Sequence, residues 1–133
     1  MRALRLGRLW RWLSVVLWMG VIFYVSAQPD LPHHPAGTVD VILKKAGHVV
    51  EYGILAGLVF WASGASAYEG SRRASFAAIA ITALYAVSDE VHQWFVPGRT
   101  AHPLDVAFDL AGAAMALLVL RRLFSAGGES ARR

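Results

Sequence analysis

The chain lacks cysteine and has few charged residues, and both shortages limit what it can be. Its 133 residues include no Cys, which excludes disulfide bonds and thiolate chemistry. Only 17% of the residues are charged while 56% are hydrophobic, a balance too apolar for an ordinary soluble domain. The composition therefore indicates a membrane protein.

The apolar residues form four blocks, each close to the ~20 residues that a transmembrane helix needs. These blocks are Leu9–Ala27, Ala46–Ala67, Ala74–Val96 and Leu104–Leu120. The short connections predict an all-α, polytopic membrane protein: a compact bundle of four transmembrane helices in one domain, residues 1–125. The polar residues 126–133 are expected to form a flexible tail. Small residues at Gly53, Gly57 and Gly112 are expected to allow close helix packing.

The basic residues are distributed unequally between the two sides of such a bundle. Ten of the 13 Lys and Arg fall on the side of the chain termini, and only Lys44, Lys45 and Arg99 fall on the other. Because basic loops are retained in the cytoplasm, we expect both termini to be cytoplasmic in a multi-pass protein of the plasma membrane. The net charge of +4 then reports topology and contact with lipid head groups rather than nucleic-acid binding.

The N-terminal span has a second interpretation. Basic residues, an apolar run and Val25-Ser26-Ala27 before Gln28 resemble a signal peptide with its cleavage site. The apolar run is long for a signal peptide, and it contains the bulky Trp18, Phe23 and Tyr24. Cleavage would leave the orientation of the other three spans unchanged.

Most other ionisable residues fall on the side opposite the termini. All five histidines and seven of the nine acidic residues are expected there, whereas Glu69 and Glu129 are expected on the cytoplasmic side. The outer set comprises His33, His34, His48, His92, His102, Asp30, Asp40, Glu51, Asp89, Glu90, Asp105 and Asp109. Ionised groups inside a membrane are costly, so these side chains are expected to face one another, water or a ligand.

Helical spacing groups these residues into faces. Three faces are predicted: Lys44, His48, Glu51 and Tyr52 on span two, Ser88, Asp89, His92 and Gln93 on span three, and Asp105, Asp109 and Gly112 on span four. We expect the three faces to enclose a polar crater open to the outer surface, with Arg99 folding over it as a cationic partner of Glu51. Glu51 with Arg99, or Asp89 with His92, could also serve only to hold helix ends together.

The same residues resemble a known family of membrane proteins. Lys45-Ala46-Gly47-His48-Val49-Val50-Glu51-Tyr52 and Ser88-Asp89-Glu90-Val91-His92-Gln93, followed by Pro97-Gly98-Arg99 and Asp105, are similar to the VanZ-like proteins, as is Ser26-Ala27-Gln28-Pro29. The resemblance extends from about Val21 to Ala114 and implies an integral membrane protein of the teicoplanin-resistance type. The chain has Asp109 where that family commonly has Asn.

Three functions remain open at this stage. An enzyme would use Glu51, Asp89, Glu90 or His92 as general acid or base. A binding site would be formed by Lys45, His48, Tyr52, Gln93, Arg99, Asp105 and Asp109. In a structural protein, the polar residues would only brace helix ends. A proton or ion pathway is disfavoured, because residues 54–66 and 110–120 carry no charge.

We assign no cofactor and no metal, although His48-x-x-Glu51 and Glu90-x-His92 contain metal-ligand residue types. The expected partners are membrane lipids and either a lipid-linked cell-wall precursor or a glycopeptide.

Overall fold

The chain folds as four α-helices. The computed structural model describes residues 2–29, 37–64, 70–99 and 101–130, and no strand occurs within these ranges. The helices are α1 (Arg2–Ser26), α2 (Gly37–Ala62), α3 (Gly70–Trp94) and α4 (Pro103–Ser130). The all-α prediction is confirmed. Asp30, His33, His34 and Glu69 lie outside the described residues, as do residues 131–133 of the expected tail.

The helices are longer than the apolar blocks suggested at several ends. α2 begins at Gly37, well before Ala46, and α4 continues to Ser130, beyond Leu120. Hydropathy detects only the part of a helix that suits lipid, whereas backbone hydrogen bonding can continue through polar residues outside it. Residues 126–130 of the expected tail are thus helical, and whether they are flexible stays a prediction.

Three helices are long and apolar enough to cross a membrane. These segments are Leu6–Ser26, Arg72–Trp94 and Pro103–Phe124. α2 has 26 residues and would extend about 39 Å, which is also sufficient length, but it contains Lys44, Lys45, His48 and Glu51. These polar residues lower its mean hydropathy.

α2 lies at the centre of the bundle. It packs against each of the other three helices. It also supplies nearly half of the buried apolar core: Tyr52, Leu55, Ala56, Val59, Phe60 and Ala62. A central helix meets neighbouring helices over much of its surface, so its polar face can be directed at protein rather than at lipid.

Small residues bring the helices close together. Ala74, Ala78, Thr82 and Ala86 are all buried and recur every four residues along α3. Gly53 of α2 lies against Gly112 of α4, where a Cβ atom on Gly53 would be 3.3 Å from the Gly112 carbonyl oxygen. The expectation that Gly53 and Gly112 permit close packing is confirmed.

Helices that follow one another in the chain run antiparallel, so α1 is parallel to α3 and α2 is parallel to α4. The end of α1 contacts the end of α3 through Ser26 and Asp89, and the first half of α2 contacts the start of α4 through His48 and Asp109. At the opposite end of the bundle, the Arg11 guanidinium lies 5.4 Å from the centre of the Trp61 ring. One end of the bundle therefore gathers Ser26, residues 44–52, residues 88–99 and residues 101–109, and we call it the polar end.

Candidate functional site

Asp89 is the centre of a buried hydrogen-bond network at the polar end. Its Oδ2 atom accepts hydrogen bonds from Ser26 Oγ and Gln93 Nε2, both at 2.8 Å. All three residues are buried, with Asp89 only 4% exposed. Gln93 is one turn after Asp89 on α3, so the network joins the last turn of α1 to the last turns of α3.

Two acid–base pairs join α2 to α4. Lys45 forms an ion pair with Asp105, and His48 Nδ1 lies 2.9 Å from Asp109 Oδ1. From the first pair to the second, the contact moves by about one helical turn along both α2 and α4, so the two pairs are stacked along the interface between these helices. Asp109 is 1% exposed, and His48 lies between it and the more accessible Lys45 pair.

Arg99 follows a tight turn that closes α3. The Val96 carbonyl accepts from the Arg99 N–H at 3.1 Å, and Gly98 has a φ of 79°. Pro97 followed by a glycine with positive φ is typical of a type II turn. The turn lies against the end of α1, since a Cβ atom on Gly98 would be 3.4 Å from the Pro29 Cβ atom.

The Arg99 guanidinium caps the end of α1. Its Nη1 donates to the carbonyl oxygens of Val25, at 3.3 Å, and Gln28, at 3.1 Å. The Val25 carbonyl also accepts from the Gln28 N–H at 3.1 Å, and Arg99 adds a further donor at this helix C-terminus, where carbonyls lack the usual helical partners. Among the described residues the guanidinium uses Nη1 alone for these bonds, which leaves its other N–H groups able to bind a ligand.

A cavity of about 510 Å³ opens at the polar end between α2, α4 and the Arg99 turn. We call it the first cavity. Its polar lining comprises Lys44, Lys45, His48, Glu51, Gln93, Arg99, His102 and Asp105. Val25, Val41 and Leu104 supply apolar lining. Three permanent cations and two carboxylates line one space, so it suits a polar ligand that carries an anionic group.

A second cavity, of about 640 Å³, lies between α3 and the start of α4. Its lining is mainly apolar and comprises Val87, Glu90, Val91, Trp94, Arg99, Ala101, Pro103 and Val106. The start of α4 separates the two cavities, because Leu104 and Asp105 line the first while Pro103 and Val106 line the second. Arg99 lines both.

The two glutamates considered as acid–base candidates lie in different places. Glu51 is half-buried and lines the first cavity, whereas Glu90 lines the second. The Oε1 atom of Glu90 is buried without a hydrogen-bond partner among the described residues. A buried carboxylate oxygen that lacks a partner among these residues can accept a hydrogen bond from a molecule outside the chain.

The other predicted site residues are further from the cavities. Tyr52 is fully buried beneath His48, with their ring centres 6.3 Å apart, and His92 stacks on Phe23 at 4.1 Å. Asp89, His92, Tyr52 and Asp109 line neither cavity. The structure thus brings Lys45, His48, Glu51, Gln93, Arg99 and Asp105 together at the first cavity.

Two expected pairings differ from those observed. Arg99 donates to backbone carbonyls of α1, whereas it was expected to pair with Glu51. Asp89 is bound by Ser26 and Gln93, whereas His92 was the expected partner. The groups that bind Arg99 belong to α1, and α1 also supplies Ser26 to Asp89, whereas Gln93 is on α3 itself. The spacing of residues within α2 and α3 carries no information about α1.

Ser88 does not share the buried face of Asp89 and Gln93. It is exposed, and its hydroxyl donates to the Tyr85 carbonyl of its own helix at 2.7 Å. The i, i+1 step from Ser88 to Asp89 turns the side chain by about 100°, which removes Ser88 from the network.

The described residues contain no group of three or more His, Asp or Glu side chains arranged to hold a metal ion. Of the two local pairs that contain ligand residue types, His48 and Glu51 both line the first cavity, with His48 also paired to Asp109. In the other pair, Glu90 lines the second cavity while His92 stacks on Phe23 and lines neither cavity.

Two contributors were absent from the sequence-based site. Ser26 binds Asp89, and Trp18 donates from Nε1 to the backbone carbonyl of Glu51 at 2.9 Å, which ties α1 to α2 beside the first cavity. The hydroxyl at the end of span one was a usable signal for Ser26, because it is level with the end of span three. No sequence signal distinguishes Trp18 from the other tryptophans of α1.

Comparisons with known proteins agree with the residues at the polar end. No curated protein and no solved structure matches this sequence. The model of the VanZ/LLP1 family matches residues 11–125, which include α2, α3, most of α1 and α4, and every residue of the two cavities. The chain is therefore a membrane protein that belongs to the VanZ/LLP1 family.

Proposed function

We propose that this protein crosses the plasma membrane four times and binds a lipid-linked cell-envelope molecule at its extracytoplasmic face. The polar head group of that molecule would occupy the first cavity. The observation that carries the proposal is the lining of this cavity, in which Lys44, Lys45, Arg99 and Glu51 surround about 510 Å³ at one end of an apolar bundle.

The distribution of charge supports this orientation. The end of the bundle opposite the polar end receives Arg72 and Arg73 at the start of α3 and Arg121 and Arg122 near the end of α4. Basic residues that flank spans favour the cytoplasmic side, so the polar end is directed outward. The four arginines before residue 12 precede the first span on the same side of the bundle and add to this asymmetry.

The chemistry of the lining supports an amphiphilic, anionic ligand. A guanidinium offers a planar set of N–H donors that matches phosphate or carboxylate oxygens. Lys44 and His102 add further donors, while Val25, Val41 and Leu104 contribute apolar surface. A mainly apolar cavity with a few convergent polar groups is typical of small-molecule sites.

A purely structural role has specific support for some of the polar residues. Asp89 with Ser26 and Gln93, and His48 with Asp109, each join two helices and are buried. These groups stabilise the packing whether or not a ligand binds. Glu51 differs from them, because its carboxylate makes no hydrogen bond or ion pair among the described residues and instead lines the first cavity.

Binding of a sugar-linked polyprenyl diphosphate to the purified protein in phosphatidylcholine nanodiscs tests the proposal. We expect Arg99→Lys and Glu51→Gln to weaken binding at least tenfold while side-chain volume is nearly kept, because the first loses the planar donor set and the second loses one of two acceptor oxygens. Native mass spectrometry would measure the bound fraction and would also detect a hydrolysed product if the site catalyses turnover.

The matched control for Arg99→Lys is Arg72→Lys, since Arg72 is an exposed arginine at the opposite end. This control should bind as the native protein does. If both site variants bind normally and remain folded, the polar end only braces the helices and the proposal is wrong. If teicoplanin binds with the same dependence on Arg99 and the lipid does not, the ligand is a glycopeptide.

A further inference from the structure

The second cavity has no role in the proposed function and is accessible from the side of the bundle formed by α3 and the start of α4. It is bounded by one face of α3, on which Val87, Glu90, Val91 and Trp94 follow the spacing i, i+3, i+4, i+7. Val87 and Val91 are each 52% exposed, and Trp94 is 81% exposed. In a membrane this face meets lipid, so the cavity opens laterally to the hydrocarbon region.

The two cavities differ in the number of polar residues that line them. The first has eight polar or charged lining residues, whereas the second has only Glu90 and Arg99. Arg99 is the one residue common to both linings, and it lies where the end of α3 meets the start of α4. A guanidinium shared by a cavity with many polar lining residues and a cavity with few is suited to an anionic group that joins a polar head to a hydrocarbon chain.

We propose that the second cavity holds the hydrocarbon chain of the amphiphile whose head group occupies the first cavity, with its anionic linkage at Arg99. This inference rests on the proposed function and narrows its ligand to a lipid phosphate or a similar chain-bearing anion. The chain enters from the bilayer between α3 and α4, and the head group reaches the first cavity past the Arg99 turn.

Glu90 is the polar group of the second cavity that would meet the linkage from the side of α3. Its Oε1 atom is buried and has no partner within the described chain, and its carboxylate also lies by the backbone of His102. A ligand hydroxyl or a protonated phosphate oxygen at Arg99 would supply the missing hydrogen bond. The unpartnered oxygen is thus accounted for by the same ligand that accounts for the shared arginine.

Two probes separate the contributions of head and chain. Hexadecyl phosphate carries both, whereas ethyl phosphate carries the anion with almost no chain. We expect the native protein in a non-ionic detergent to bind hexadecyl phosphate at least tenfold more tightly than ethyl phosphate, as measured by the ligand-induced rise in melting temperature. Equal affinity for the two probes would overturn the inference.

A substitution that fills the second cavity tests whether this cavity causes the preference for hexadecyl phosphate over ethyl phosphate. Val91→Trp should weaken hexadecyl phosphate binding at least tenfold and leave ethyl phosphate binding unchanged. Leu84→Trp is the matched control, because Leu84 lies on the same face of α3, is 74% exposed and lines neither cavity. If Val91→Trp binds hexadecyl phosphate as the native protein does, the chain lies elsewhere and the inference fails.

A different variant tests the proposed function separately from this inference. Arg99→Gln should weaken binding of both probes, and if it weakens neither, the anion does not bind at Arg99. Should Val91→Trp not fold, a hexadecyl phosphate with a diazirine at its chain end replaces it. Adducts are expected on residues 87–94 and 101–106, and adducts confined to α1 or α2 would contradict the inference.

Discussion

At the scale of single residues, the polar groups of this protein divide into two kinds. Asp89, Gln93, His48 and Asp109 are buried and bound to one another or to Ser26 across helix boundaries. Glu51 and Glu90 have carboxylates that point into separate cavities without an ion pair among the described residues. The first kind satisfies hydrogen bonds inside the bundle, and the second kind is available to a ligand.

Asp89→Ala should destabilise the protein by about 1–3 kcal/mol. The substitution leaves the Ser26 hydroxyl and the Gln93 amide buried without their acceptor, and an unsatisfied buried donor costs this much. Asp89→Asn, which keeps one acceptor oxygen, should cost less. Thermal unfolding in detergent measures the order of stability.

Ser88→Ala is the control for Asp89→Ala, because Ser88 is adjacent, exposed and bonded only within α3. It should unfold within a few tenths of a kcal/mol of the native protein. Equal stability of Asp89→Ala and Ser88→Ala would show that the network contributes nothing to folding.

At the scale of elements, the contact between α2 and α4 determines where the site lies. Gly112 faces the backbone of Val49, and a Cβ atom there would come within 2.9 Å of the Val49 Cα atom. The close approach continues toward the polar end, where His48 meets Asp109 and Lys45 meets Asp105. A wider spacing of these two helices would separate both pairs.

Gly112→Ala should therefore destabilise the bundle by about 1–3 kcal/mol, since the added methyl group overlaps main-chain atoms that cannot rotate away. Gly20→Ala is the matched control: it is a mid-helix glycine of α1 with no atom within 4 Å of an added Cβ. It should be neutral or stabilising, because alanine favours a helix. Melting temperatures of the two variants in one detergent decide this, and a neutral Gly112→Ala would mean that the helices can move apart freely.

The four helices themselves were predictable because the local pattern carries the information. A run of apolar residues long enough to span lipid is visible in the sequence, and Pro97-Gly98 marks the end of α3. The C-terminal end of α4 was not, because Ser130 lies in polar surroundings where hydropathy gives no signal. Ser26 and Trp18 were missed because their partners are distant in sequence.

At the scale of the whole molecule, charge and polarity separate toward opposite ends of one bundle. The polar end holds the described histidines and most of the described carboxylates, and the opposite end holds paired arginines on α3 and α4. This separation is the basis for the proposed orientation, in which the polar end faces away from the cytoplasm.

Single cysteines can test the orientation cleanly, because the chain has none of its own. His102→Cys is at an exposed position of the polar end, and Arg73→Cys is at an exposed position of the opposite end. In intact cells a membrane-impermeant maleimide should label His102→Cys and should label Arg73→Cys only after the membrane is opened. The reverse labelling pattern would mean that the protein has the opposite orientation, with the first cavity facing the cytoplasm.

The sequence by itself determined that this is a helical membrane protein, and it predicted that the histidines and most carboxylates share one end, since both inferences depend on residue types and their spacing along the chain. It also supplied the residues that identify the family. Tertiary structure decided which of those groups are satisfied and which line a cavity, and it placed Glu51 and Glu90 in separate spaces with Arg99 between them. The physical reason is that hydrogen bonds such as Ser26 to Asp89 join helices far apart in sequence, and only the packing of the bundle brings such groups within reach.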